Sequence, residues 1–121
     1  MKITTFNPMI ISPHAEELVK VFEALGFEQR HHKTGINDGT ASSTRMTDPN
    51  GFHVDVTSAP VPQDMPSIRM NVDNFEEAYE LLKAHGFKNA QGDKITDTGT
   101  SHSAMMISPS GFTITVAQHI K

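Results

Sequence analysis

Cysteine is absent from all 121 residues. That removes disulfides, thiolate metal sites and a thiol nucleophile together. Tryptophan is also absent and tyrosine occurs once, so the interior must be built from phenylalanine, aliphatic residues and seven methionines, which serve as flexible fillers. There is no long apolar run. The opening MKITTFNPMIIS has one lysine and a short apolar stretch broken by Pro8, which is neither a signal peptide nor a membrane span. The expected location is therefore cytoplasmic. Basic clusters are missing too: the ten Lys and Arg residues are scattered and the net charge is −4. A nucleic-acid partner needs a basic stripe and an anionic membrane surface needs a basic patch, so the expectation is no nucleic acid and no membrane. Neither G-x-S-x-G nor G-x-x-x-x-G-K occurs, which excludes a nucleophile elbow and a phosphate loop.

What the chain does contain is a duplication. Residues 16–57 align without gaps on residues 76–117, and 13 of these 42 pairs are identical, where chance would give roughly two or three. EELVKVFEALGFE lies over EEAYELLKAHGFK, and GTASSTRMTDPNGFHVDVT over GTSHSAMMISPSGFTITVA. A period of 60 residues occurring twice is too long and too short-lived for a solenoid. The reading is one domain, 1–121, made of repeat unit one (about 1–58), a proline-rich linker (59–66) and repeat unit two (about 67–121).

Each unit reads as β-α-β-β-β. A short apolar strand covers 8–12 in one copy and 68–72 in the other. Ser12 is expected to cap the first helix with Pro13 at its first position; Asp73 or Asn74 caps the second, with Glu76 and Glu77 at its positive end. The expected apolar stripes are Leu18, Val21, Phe22 and Leu25, and Ala78, Leu81, Leu82 and His85. Gly26 and Gly86 stop the helices where the left-handed region is needed, with Phe27 and Phe87 folding back. A weak strand is expected over 28–34 and 88–95, a second over 42–47 and 103–107, and a clear alternating one over 52–57 and 112–116. Pro-Gly turns at 48–51 and 108–111 join the last two. On the last strands Phe52, Val54 and Val56, and Phe112, Ile114 and Val116, form an apolar face; His53, Asp55 and Thr57, and Thr113, Thr115 and Ala117, form a polar or small one. The polar face is expected to line a pocket.

A doubled β-α-β-β-β unit, helices ending in Gly-Phe, and the turns Asp48-Pro49-Asn50-Gly51 and Ser108-Pro109-Ser110-Gly111 before each last strand resemble the vicinal oxygen chelate superfamily, which includes glyoxalases, bleomycin-resistance proteins and extradiol dioxygenases. The resemblance covers nearly the whole chain. It implies an α+β fold in which two tandem units form a curved, half-open mixed sheet with helices outside and a small-molecule ligand in the concavity. It also admits a homodimer as a partner. Metal-using members take ligands from the first and last strands of each unit. Carried onto this chain, those positions are Asn7 (by the 60-residue offset) or Phe6 (by family spacing), Asp55, Ser67 and Thr115. Only Asp55 is a usual ligand type, so the resemblance implies that the usual metal is absent and with it the usual metal chemistry. The alternative is a rebuilt site for Zn, Ni, Fe or Mn from His53, Asp55 and His102, a two-histidine, one-carboxylate set suited to a metal-dependent lyase or dioxygenase.

The favoured function is thus the binding of a small organic ligand by His53, Asp55, Arg69, Asn71, His102, Thr113 and Thr115, with no cofactor. Asp55 is a candidate general base. Arg69 and Asn71 alternate with Ile68, Met70 and Val72, share one face, and suit a carboxylate or phosphate; the competing role for Arg69 is a salt bridge to Asp55 or Glu77. Arg45, also in a strand, likewise needs a partner or a cavity. The remaining histidines, His14, His31, His32 and His119, read as surface residues, and His85 as a packing residue at a helix end. A third reading is an interaction module whose pocket is filled by Met9, Met46, Met65, Met70, Met105 and Met106.

Overall fold

The computed structural model describes residues 1–35 and 41–120; at 31, 33–35 and 41 it describes backbone only, so the surface placement of the His31 side chain lies outside the described residues. The chain divides into two compact units, Asn7–Pro66 and Met1–Phe6 with Ser67–Lys121. The first six residues therefore belong with the C-terminal repeat.

In the N-terminal unit, β1 (Ile3–Ser12, from Asn7 onward) precedes α1 (Ala15–Ala24), β2 (Glu28–Gly35), β3 (Ala41–Thr47) and β4 (His53–Ser58). The strand order is β2-β3-β4-β1. β2/β3 and β3/β4 are antiparallel, and β4/β1 is parallel with Met9 beside Asp55 and Ile11 beside Thr57. The C-terminal unit repeats this with β5 (Met65–Val72), α2 (Phe75–Ala84), β6 (Lys88–Asn89), β7 (Thr96–Asp97), β8 (Ser101–Ile107) and β9 (Thr113–His119), in the order β5-β9-β8-β6 with β7 also on β8. Here β5/β9 is parallel and β8/β9 antiparallel. The start of the chain is tied to this unit: the Lys2 amide donates to Asp73 Oδ1 at 2.6 Å, the Asp73 amide to the Lys2 carbonyl at 3.0 Å, and the N-terminal ammonium to Glu77 Oε1 at 3.0 Å. The α+β class and the mixed sheet of the expectation are present. Among the described residues no helix is long and apolar enough to cross a membrane.

Several local expectations shift. Of the strand expected over 88–95 only the two-residue β6 exists, because 91–94 forms turns in which the Gly92 and Lys94 amides bond back to Asn89 and Gln91; a second short piece, β7, follows just beyond the expected range. Ser12 ends β1 and does not cap α1; its hydroxyl donates to Asp64 Oδ1 at 2.5 Å and accepts from the His14 amide at 2.9 Å, and the helix begins two residues later than expected. Asn74 does cap α2, its Oδ1 accepting from the Glu77 amide at 3.1 Å. Both stripes are rotated from the expected phase. Val21 is 51% exposed, Leu25 67% and Leu81 50%. The faces that pack are Ala15, Leu18, Val19 and Phe22, against Met46, Val54 and Val56, and Phe75, Ala78, Tyr79 and Leu82, against Ala104, Met106 and Val116. Each set has i, i+3, i+4, i+7 spacing, and the two sets are 60 residues apart.

The helix ends follow the expectation. Gly26 (φ 107°) and Gly86 (φ 92°) take the left-handed region. The amides of Phe27 and Phe87 bond back to Phe22 and Leu82 at 2.9 and 3.0 Å, closing a Schellman cap at each helix. The turn before β4 is tied by Asp48 Oδ1, which accepts from the amides of Asn50 and Phe52 at 3.1 and 2.8 Å. In the repeat Ser108 Oγ accepts from the Phe112 amide at 2.9 Å, so a hydroxyl takes over part of the carboxylate's role. Phe52 sits beside its turn at 67% exposure and is not part of the buried apolar face.

Candidate ligand-binding site

Strand alternation and register decide which side chains meet. In the N-terminal unit Arg45 pairs across from Asp55, which in turn lies beside Met9. These three therefore share the sheet face opposite α1, with Asn7 two residues before Met9. Ser43 and Thr57 form the next row, their hydroxyls 3.2 Å apart. Asp55 is 3% exposed and fully engaged. Arg45 Nε donates to Oδ1 at 3.1 Å, Arg45 Nη2 to Oδ2 at 3.0 Å, and Asn7 Nδ2 to Oδ2 at 2.8 Å. Arg45 Nη2 also reaches Asn7 Oδ1 at 3.4 Å, which closes a triangle. The guanidinium meets the carboxylate as a two-pronged fork, the geometry that holds such a pair most firmly. With these donors on its oxygens, Asp55 is a fixed counter-ion and offers little lone-pair capacity for proton abstraction.

In the C-terminal unit Arg69 lies beside Thr115, which pairs with Met105; Asn71 lies beside Ala117, which pairs with Ser103. Ser67 Oγ is 3.2 Å from Thr115 Oγ1, and both are buried. Arg69 Nε donates to Asn71 Oδ1 at 2.9 Å, so these two share a face as their spacing implies. Thr113 is buried two residues before Thr115. This face carries the Arg69 guanidinium, the Asn71 amide and the Ser67, Thr113 and Thr115 hydroxyls.

The two histidines of the alternative metal set go elsewhere. His53 stands at the exposed start of β4, where its Nδ1 is 2.9 Å from Thr47 Oγ1. His102 pairs with Gln118, one residue out of step with Ser103 and Met105, and so lies on the α2 side of its sheet. There it packs edge-on against Phe75, with ring centroids 6.5 Å apart, and its Nε2 is 3.4 Å from Asp97 Oδ2. Among the described residues no three His, Asp or Glu side chains are placed to hold a metal ion.

The positions that the resemblance assigns to a metal fall into two pairs, Asn7 with Asp55 and Ser67 with Thr115, and each pair is hydrogen-bonded within its own unit. Phe6 is exposed, whereas Asn7 is buried against Asp55. These donors do not fit a transition metal. One pair offers an amide and a carboxylate already bound by a guanidinium, the other two neutral hydroxyls, and imidazole is missing from both. Arg45 is the residue that decides this; its repeat partner is Met105, and sequence spacing does not show that its side chain reaches Asp55.

No protein-family model matches this chain, and no curated protein sequence matches it. Solved structures do. Methylmalonyl-CoA epimerase from Mycobacterium tuberculosis superposes with a TM-score of 0.72 at 10% identity, covering 98% of this chain and 90% of that one. A glyoxalase/bleomycin resistance protein/dioxygenase superfamily member from Vibrio splendidus 12B01 gives 0.62 at 15% identity, over 97% and 99%. Glyoxalase I from Zea mays gives 0.65 at 17% identity, over 97% of this chain and 43% of that one. The chain therefore has the vicinal oxygen chelate fold.

Proposed function

We propose that this protein binds a small organic anion on the polar strand face of its C-terminal unit, without the divalent metal usual for its fold. The observation that carries this reading is the Arg45 fork on Asp55. It places a permanent side-chain cation on the one acidic residue at a metal-ligand position. Taking the guanidinium away would leave a buried carboxylate without its charge partner, which is strongly unfavourable, so a metal would have to displace a well-satisfied pair. The second face supplies recognition. Arg69, Asn71 and the Ser67–Thr115 hydroxyls together suit a carboxylate or phosphate. The epimerase and glyoxalase activities of the structural neighbours belong to those proteins, and their identity to this chain is too low to carry either across.

The test has two parts. Elemental analysis of protein purified without an affinity tag should find metal far below one equivalent per chain. A thermal-shift screen of small carboxylates and phosphate esters should find stabilising ligands, and Arg69→Met, the exchange that the other repeat makes naturally at Met9, should weaken them by about tenfold or more, the size of a lost charge-assisted hydrogen bond. Stoichiometric metal whose removal lowers stability, or anion binding indifferent to Arg69→Met, would overturn the reading.

A further inference from the structure

The opposite face of the N-terminal sheet, under α1, carries a hollow of about 440 Å³. Ala15, Val19 and Val56 form its apolar part; Ser42, Thr44 and Ser58 put hydroxyls on its floor; Glu16, Lys20, Glu23 and His32 stand at its rim. His32 is held there by a 2.6 Å contact between its Nδ1 and Thr44 Oγ1, and Glu23 Oε2 accepts from Gln29 Nε2 at 3.3 Å. None of these residues belongs to the polar strand face described above. Register places Thr44 beside both His32 and Val56, one residue out of step with Arg45 and Asp55.

The internal repeat supplies a control for this hollow. Sixty residues on, Ala15, Val19 and Ser42 become Phe75, Tyr79 and His102. Those three pack together on the α2 side of the C-terminal unit. Phe75 and Tyr79 are buried and stacked with centroids 5.5 Å apart, and His102 meets Phe75 edge-on. At these three positions around the hollow the first unit carries an alanine, a valine and a serine where the second carries three rings. A volume within the roughly 300–1,000 Å³ typical of ligand pockets, shaped in the other repeat for stacked rings, suits a flat aromatic group. The two rim glutamates outweigh the one lysine, which favours a positive substituent at the mouth.

We propose that the hollow under α1 is a second small-molecule site that takes an aromatic amine, its ring on Ala15, Val19 and Val56 and its ammonium toward Glu16 and Glu23. This site stands on its own lining and not on the anion site of the other face. The test is NMR titration of the intact protein with tryptamine and with indole-3-propionate, which share a ring and differ in charge. Tryptamine should shift the Ala15, Val19 and Val56 methyl signals and bind several-fold more tightly than the propionate. Val19→Tyr and, separately, Ser42→His copy the other repeat; each should abolish tryptamine binding while leaving the thermal midpoint unchanged or raised, as filling a real void does. Glu23→Gln should weaken tryptamine and leave the propionate unaffected. Methyl signals that do not move, tight propionate binding that shifts these same three methyl signals, or Val19→Tyr protein that is folded and still binds tryptamine would each overturn the proposal. A fall in midpoint for both filling variants would overturn it as well, because the space would then not be there.

Discussion

The two repeats share a backbone plan and differ in where they keep charge and where they keep rings. On the polar strand face, Met9 and Arg45 of the first unit become Arg69 and Met105 of the second. Arginine and methionine have changed places between the first and third strands. Only the first unit has an acid, Asp55, where the second has Thr115, and its arginine sits on the strand that lets it reach that acid. The second unit's arginine bonds to Asn71. On the helix face the contrast lies at three positions, where the second unit has Phe75, Tyr79 and His102 and the first has Ala15, Val19 and Ser42. Duplication preserved the positions that shape the backbone, while the residues projecting from each face diverged into two chemistries.

Exchanging residues between repeats tests this contrast directly. The largest expected effect is Phe75→Ala, which imposes the first unit's small residue on the filled unit. It should lower stability by about 3–5 kcal/mol through loss of a buried ring, measured by urea unfolding, whereas the reverse exchange in the first unit should not destabilise. Next is Asp55→Ala, which leaves the Arg45 guanidinium unpaired. Because Arg45 keeps part of its surface in water, the loss should be about 2–3 kcal/mol, below that of a fully buried pair. The double exchange Arg45→Met with Asp55→Thr, which writes the second repeat into the first, should recover most of it, since replacing both partners of an ion pair is often neutral. A double variant no better than Asp55→Ala would show that the two faces are not interchangeable. The smallest contrast lies at the helix ends. Gly86→Ala should cost about 1–2 kcal/mol from its left-handed backbone, and more than Gly26→Ala. A methyl at Gly86 would sit 3.1 Å from Pro109 Cγ, while Gly26 has nothing within 4 Å. Equal losses at the two glycines would mean that Pro109 yields.

The sequence carried some of the candidate site and hid the rest for identifiable reasons. Asp55, Ser67 and Thr115 could be located because each stands at a fixed distance from a turn glycine or its repeat. The sharing of a face by Arg69 and Asn71 followed from alternation. The facing of His102 did not, because a one-residue slip in the pairing of β8 with β9 moves it to the other side of the sheet. The helix stripes were misphased because α1 offers two competing apolar sets; Val21 and Leu25 continue one, Ala15 and Val19 the other, and only the sheet beneath selects between them. The strand expected over 88–95 failed where Gly92 and its neighbours preferred turns.

From its residues alone the chain determines the doubled β-α-β-β-β plan, since helix stops, hairpin turns and strand alternation are local properties repeated at one offset. Which side chains become partners was left to tertiary structure. The Arg45–Asp55–Asn7 triangle joins three strands, and the hollow under α1 depends on what a neighbouring element fails to fill. Contacts of that kind are set by register and packing, neither of which a single stretch of sequence contains.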